Sequence, residues 1–148
     1  MEDIRILLVD DEEEFVQALS ERLQLRDLSS RTAFSGDQAM RFVGEAAPHV
    51  MVLDLAMPGT SGLEVLRLVK RRYPEIQVII LTGHGNDLDE AEARAVGIFD
   101  WLRKPVEIEV LVDRIRAAYQ AGRRGATLSA VTLAEAGEHD AAKRLLDR

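Results

Sequence analysis

The sequence predicts a doubly wound α/β domain: five parallel strands in one sheet with five helices over its two faces. Two observations carry this. Short aliphatic runs stop abruptly at polar residues, as strands buried on both faces do. Between the runs, apolar residues recur three and four apart, the spacing of one helix face.

Ile4-Arg5-Ile6-Leu7-Leu8-Val9 is the first strand and ends at Asp10-Asp11. Phe15, Leu19 and Leu23 then mark the first helix. Residues 30–34 form a weaker second strand, and Ser35-Gly36-Asp37 opens a helix carrying Ala39, Met40 and Val43. Val50-Met51-Val52-Leu53 is the third strand, stopped by Asp54. The third helix follows Thr60-Ser61-Gly62, with Leu63, Leu66 and Val69 on one face and Pro74 closing it. Val78-Ile79-Ile80-Leu81 is the fourth strand, stopped by Thr82-Gly83. Asn86-Asp87 precedes a helix with Leu88, Ala91 and Ala95, ended by Gly97. Residues 98–102 are the fifth strand, and Ile108, Leu111, Val112 and Ile115 define the fifth helix. This domain spans residues 1–121. Residues 122–148 form a linker and short helical tail: Gly122-Arg123-Arg124-Gly125 reads as a hinge, and a Gly137-Glu138-His139-Asp140 turn splits the rest into a hairpin.

Composition narrows the function. The 148 residues include no cysteine, which excludes disulfides, thiolate metal sites and a cysteine nucleophile. A formal net charge of −7 makes the chain a poor binder of nucleic acid. No apolar run reaches the ~20 residues of a membrane span, and the N-terminus lacks a signal-peptide layout. The expectation is a cytoplasmic protein with no membrane or nucleic-acid contact of its own.

In an open α/β sheet the ligand crevice lies outside the carboxyl ends of the strands. Asp10, Asp11, Asp54, Thr82 and Lys104 all fall there. Carboxylates gathered in one space repel, and a hard divalent cation or a lysine relieves them. Mg²⁺ suits such oxygen donors, and the scattered histidines do not make a zinc site. Lys104 and the Thr82 hydroxyl suit phosphoryl oxygens, which leaves one carboxylate as a covalent nucleophile.

These residues carry a resemblance. Val9-Asp10-Asp11, Asp54-Leu55-Ala56-Met57-Pro58-Gly59 with Gly62, Leu81-Thr82-Gly83, and Gly97 through Lys104-Pro105 are together similar to the response-regulator receiver domain of two-component signalling. The resemblance implies the flavodoxin-like receiver fold and a phosphoacceptor at Asp54. It implies Mg²⁺ held by Asp10, Asp11, Asp54 and the backbone carbonyl of Ala56, with Thr82, Gly83 and Lys104 on the phosphoryl group. It also implies a cis peptide at Lys104-Pro105. Thr82 and Trp101 take the switch positions, where tryptophan is larger than the usual tyrosine or phenylalanine. By strand alternation, Trp101 and Lys104 should lie on opposite faces.

The implied partners are a histidine kinase or histidine phosphotransfer protein and a downstream protein target. A readout face at residues 87–120 would also serve a homodimer. Such a protein catalyses its own phosphorylation and dephosphorylation but is a signalling switch, not an enzyme in the ordinary sense. The alternative reading is a pseudo-receiver that only binds a partner. A phosphatase of the haloacid-dehalogenase type would need an acid at position 56, which is alanine.

Overall fold

The computed structural model describes residues 3–136. Five strands, β1 (Ile6–Val9), β2 (Ser30–Ala33), β3 (Val50–Leu53), β4 (Gln77–Thr82) and β5 (Asp100–Arg103), alternate with five helices. The helices are α1 (Glu13–Gln24), α2 (Gly36–Glu45), α3 (Gly62–Arg72), α4 (Asp87–Val96) and α5 (Ile108–Ala136). All pairings are parallel, in the order β2-β1-β3-β4-β5. The chain winds outward from β1 in one direction and from β3 in the other. The crevice of such a sheet opens where the winding reverses, between β1 and β3.

Every residue of β1 and β3 is buried. This is why those strands read as unbroken aliphatic runs, since each side chain must meet a helix. One face packs Ile6, Leu8, Val50, Val52, Ile79 and Leu81 against Val16, Leu19 and Leu23 of α1 and Leu111, Val112 and Ile115 of α5. The other packs Leu7, Val9, Met51, Leu53, Val78 and Ile80 under α2, α3 and α4. Neighbouring positions along a strand alternate between the two cores, as the pleat requires.

Polar caps set three helix starts. Ser35 accepts the Gln38 N–H at 3.1 Å, and Ser61 accepts the Glu64 N–H at 3.2 Å. Asn86 and Asp89 form a reciprocal capping box. Each cap stabilises its helix by about 1 kcal/mol.

Residues 122–136 depart from expectation. There is no hinge at Gly122-Arg123-Arg124-Gly125: α5 continues through it to Ala136. A glycine costs a helix about 1 kcal/mol, which weakens propagation without stopping it, and no proline intervenes. Gly122 also packs closely, since a Cβ there would lie 3.3 Å from Gln77 Cγ at the start of β4. Arg123 donates to the Tyr119 hydroxyl at 3.1 Å, bridging one turn across that glycine. The turn expected at Gly137-Glu138-His139-Asp140 and the segment after it lie outside the described residues.

Candidate functional site

Among the described residues the buried polar side chains are Asp10, Asp54 and Thr82. All three stand at the carboxyl edge of the sheet. Register explains the first two: Val9 pairs with Leu53, so the next residue of each strand meets at the same level. The Asp54 N–H donates to the Val9 carbonyl at 3.0 Å, and the Asp10 N–H to the Ala33 carbonyl at 3.0 Å. Burying a carboxylate is expensive unless it is paired and hydrogen-bonded.

Lys104 supplies the pairing. Its Nζ lies 2.7 Å from Asp10 Oδ2, 2.9 Å from Glu12 Oε1 and 3.3 Å from Asp54 Oδ2. Backbone N–H groups take the remaining oxygens: Glu12 N donates to Asp10 Oδ1 at 2.9 Å, and Ala56 N to Asp54 Oδ1 at 3.1 Å. The lysine is tied to β4 through its own N–H, which donates to the Thr82 carbonyl at 3.0 Å. Its ammonium sits 4.4 Å from the centre of the Phe15 ring on α1, a cation–π contact.

The electrostatics follow from this packing. Burial raises the Asp10 carboxyl above its ordinary range, helped by the Asp54 charge; hydrogen bonds from Lys104 and the Glu12 N–H only partly oppose it. Burial also disfavours the Lys104 charge, but hydrogen bonds to Asp10 and Glu12 and the charges of Asp10 and Asp54 outweigh it and raise its pKa. Glu12, hydrogen-bonded to Lys104, is lowered.

Asp10, Glu12 and Asp54 each offer an oxygen within 4.8 Å of the others; the two buried carboxylates, Asp10 and Asp54, are hard oxygen donors that fit a divalent cation of the Mg²⁺ kind, while the exposed Glu12 is drawn in by Lys104. Asp11 is only partly buried and is not in that group. The chain bends at Asp11, and the Glu12 N–H on Asp10 Oδ1 draws residues 10 and 12 together. Glu12 was not among the strand-end candidates, because it stands beyond β1 at the start of α1. Ala56 is exposed at the rim.

Thr82 is fully buried, and its Oγ1 accepts the His84 N–H at 3.2 Å. Gly83 lies beside Lys104, but a Cβ there would make ordinary contact at 3.8 Å, so the protein's own packing does not demand glycine. Beside the acceptor, packing does demand glycine at Gly62: a Cβ would stand 2.2 Å from the Asp54 carbonyl oxygen. The Lys104–Pro105 peptide is cis. Trp101 is 8% exposed and belongs to the core under α2, α3 and α4. Lys104 lies instead towards α1. The indole Nε1 of Trp101 is buried with no hydrogen-bond partner. Gly85, at φ +110°, lies over the ring, where a Cβ would come within 3.1 Å of two indole carbons.

Residues 6–116 match the response regulator receiver domain family. Among curated proteins the chain is similar to the C4-dicarboxylate transport transcriptional regulatory protein DctD of Pseudomonas aeruginosa, 33% identical over 97% of this chain and 31% of that protein. It is 38% identical to the DNA-binding transcriptional regulator NtrC of Klebsiella pneumoniae, over 76% of this chain and 25% of that one. The chain thus spans between a quarter and about half the length of such relatives. A solved receiver domain from Clostridium thermocellum superposes with a TM-score of 0.75 at 36% identity, covering 81% of this chain and 97% of that one. No helix among the described residues is long and apolar enough to cross a membrane. With the sheet order, the acidic edge and the lysine at the end of β5 in agreement, this chain belongs to the response-regulator receiver domain family of two-component systems.

Proposed function

We propose that Asp54 accepts a phosphoryl group from a phosphohistidine donor, on a histidine kinase or phosphotransfer protein, and that this switches a protein-binding face. The observation that carries it is a buried carboxylate, held at the sheet edge with Lys104 3.3 Å away and a buried threonine hydroxyl at the end of the adjacent strand. An Asp54 carboxylate oxygen attacks phosphorus, the P–N bond breaks, and its electron pair leaves on the imidazole nitrogen. In the separate discharge step, water attacks phosphorus, the bond between phosphorus and the Asp54 oxygen breaks, and the carboxylate is restored. Inorganic phosphate leaves with the water oxygen, and the water protons pass to phosphate and solvent.

Asp10 and Asp54 are the buried donors for Mg²⁺, with Asp11 and the Ala56 carbonyl completing the proposed set. When bound, the ion neutralises charge on the phosphoryl oxygens. Lys104 places its ammonium where that charge develops, and the Ala56 N–H holds one Asp54 oxygen in place. Gly83 leaves the approach open.

Thr82 would answer a phosphoryl group by turning its hydroxyl towards it and giving up the His84 N–H. That loosens the loop from Gly83 to Asn86, which covers Trp101. The readout face is then α4, β5 and the first turns of α5, residues 87–120, where Leu88 and Val110 are exposed. The same face would serve a homodimer.

The test is incubation with acetyl phosphate and Mg²⁺, read by intact mass. A gain of one phosphoryl group that disappears with EDTA and in Asp54→Asn is expected. Labelling of Asp54→Asn at the unmodified rate would refute the assignment, and a chain that never labels would leave the pseudo-receiver reading in its place.

A further inference from the structure

An ammonium group has three N–H donors, and in this structure three carboxylates surround that of Lys104. A phosphoryl oxygen arriving at Asp54 can claim that lysine only if one of the three lets go. Asp10 is poorly placed to do so. It is buried, its other oxygen is fixed by the Glu12 N–H, and releasing it would leave a carboxylate unpaired away from water. Asp54 is the group being modified. Glu12 differs from both. Its side chain is 64% exposed, so its carboxylate returns to water when it leaves. It stands at the N-cap of α1 yet makes no capping hydrogen bond, so the helix keeps its start without it. Its backbone is pinned by Asp10, which lets the side chain swing while the chain stays in place.

We propose that Glu12 is a positioning residue that holds the place of the phosphoryl group. Before phosphorylation its carboxylate occupies Lys104 beside the acceptor. The incoming phosphoryl oxygen displaces it, and the like charge then keeps it turned to solvent. The placeholder sets how much donor is needed, because each phosphorylation must first break the Glu12–Lys104 pair. It does not touch the reacting atoms and should leave the maximal rate alone. This inference rests on the proposed transfer to Asp54.

The experiment is a titration of acetyl phosphate at saturating Mg²⁺, measuring rate of mass gain in the full chain and in Glu12→Ala and Glu12→Gln. The expected result is a half-saturating donor concentration lowered roughly three- to fivefold in Glu12→Ala, the scale set by an exposed ion pair, with the maximal rate within about twofold. Glu12→Gln, which keeps a weaker neutral hydrogen bond, should fall between. The same comparison in Lys104→Ala should show no Glu12 effect, because no ammonium remains to be occupied. Where Lys104→Ala folds poorly or labels too slowly, Lys104→Arg serves. Its five donors can hold Glu12 and a phosphoryl oxygen together, so the Glu12 effect should shrink.

Simple repulsion between Glu12 and an anionic donor would instead persist undiminished in both lysine variants, and that result would overturn the placeholder. An unchanged or increased half-saturation in Glu12→Ala would overturn it too. Labelling of Asp54→Asn is a separate outcome that removes the underlying function, whereas loss of labelling there with no Glu12–Lys104 coupling removes only this inference.

Discussion

Replacing Gly62 by alanine drives a methyl group into the backbone that carries Asp54. The added Cβ would lie 2.2 Å from the Asp54 carbonyl oxygen and 2.4 Å from Leu55 Cα, against a floor of 3.0 Å for real Cβ contacts. Those neighbours are main chain, so no side-chain rotation relieves the overlap. Either α3 or the segment from Asp54 to Leu55 must shift by roughly 1 Å, well up the repulsive wall of a non-bonded contact. The Gly62 N–H donates to the Leu55 carbonyl at 3.2 Å, so moving α3 also weakens that bond. Overpacking without an easy escape costs about 1–3 kcal/mol, and the backbone position puts this case at the upper end. For a chain of this length about 3 kcal/mol lowers the melting temperature by roughly 6–12 °C. Circular dichroism melts of Gly62→Ala, with Gly83→Ala as control, measure it. The control adds a methyl at 3.8 Å from Lys104, outside the left-handed region, and should melt within about 2 °C of the parent. The folded fraction of Gly62→Ala should also label more slowly with acetyl phosphate, because the shift falls on the acceptor's own peptide. A Gly62→Ala protein that melts and labels like the parent would refute the claim that this close approach positions Asp54.

Gly85→Ala strains a residue at φ +110° and sets a methyl 3.1 Å from the Trp101 ring; the lone tryptophan's emission should shift to the red and its quenching by iodide should rise. Unchanged emission and quenching would mean that the loop yields and the indole stays. His49 takes the Arg5 N–H on Nδ1 at 2.9 Å, which requires the neutral ring, and burial with the Arg5 charge lowers its pKa below 6.5. The folded state therefore binds this proton less readily than the unfolded state. The His49 contribution is complete above about pH 6.5 and is lost as pH falls through the folded value, so urea midpoints should drop between about pH 7.5 and about pH 5.5, and less so in His49→Gln. Removing residues 126–148 should leave the melting temperature nearly unchanged, because over residues 108–125 the buried positions of α5 end at Tyr119 and residues 123–125 are exposed. A fall of more than about 5 °C would show that the remainder of the chain packs on the domain.

The legibility of the sequence followed burial. β1, β3 and β4 are sealed on both faces, so they announce themselves as aliphatic runs, and the polar residues stopping them mark the crevice edge. β2 and β5 carry half-exposed residues and read weakly for that reason. Asp10, Asp54, Thr82 and Lys104 were found from strand ends alone, since parallel register brings strand ends together whatever their distance along the chain. Glu12 was missed because acidic residues at a helix start have an ordinary explanation in the helix dipole, and only the three-dimensional position of Lys104 shows the other. The course of α5 past Gly122 was missed for a related reason: glycine and arginine together look like a linker, while a contact with Gln77 and a bond from Arg123 to Tyr119 hold that turn.

The site is an arrangement that stability alone would not select. Two adjacent buried carboxylates around one ammonium contribute little to folding, since desolvation offsets most of their attraction, and apolar residues of the same size would often do as well. Nearby, the Trp101 indole N–H has no partner, a cost of about 1–3 kcal/mol when such a donor is buried. Between these two costs runs the segment from Thr82 to Gly85. Beyond the pairing of Thr82 with β5, which includes the Lys104 N–H on its carbonyl, the ties of this segment are the His84 N–H donated to the Thr82 hydroxyl and an Arg103 bond to the Gly85 carbonyl at 3.3 Å. A loop lightly held between an acidic edge and an unsatisfied indole is inexpensive to rearrange. Under the proposed function one new ligand for Thr82 and Lys104 is then enough to change what α4 and β5 present. On that proposal, the energy that folding forgoes at Asp10, Asp54 and Trp101 would leave a second arrangement of that loop close enough in free energy for a single covalent event to select it.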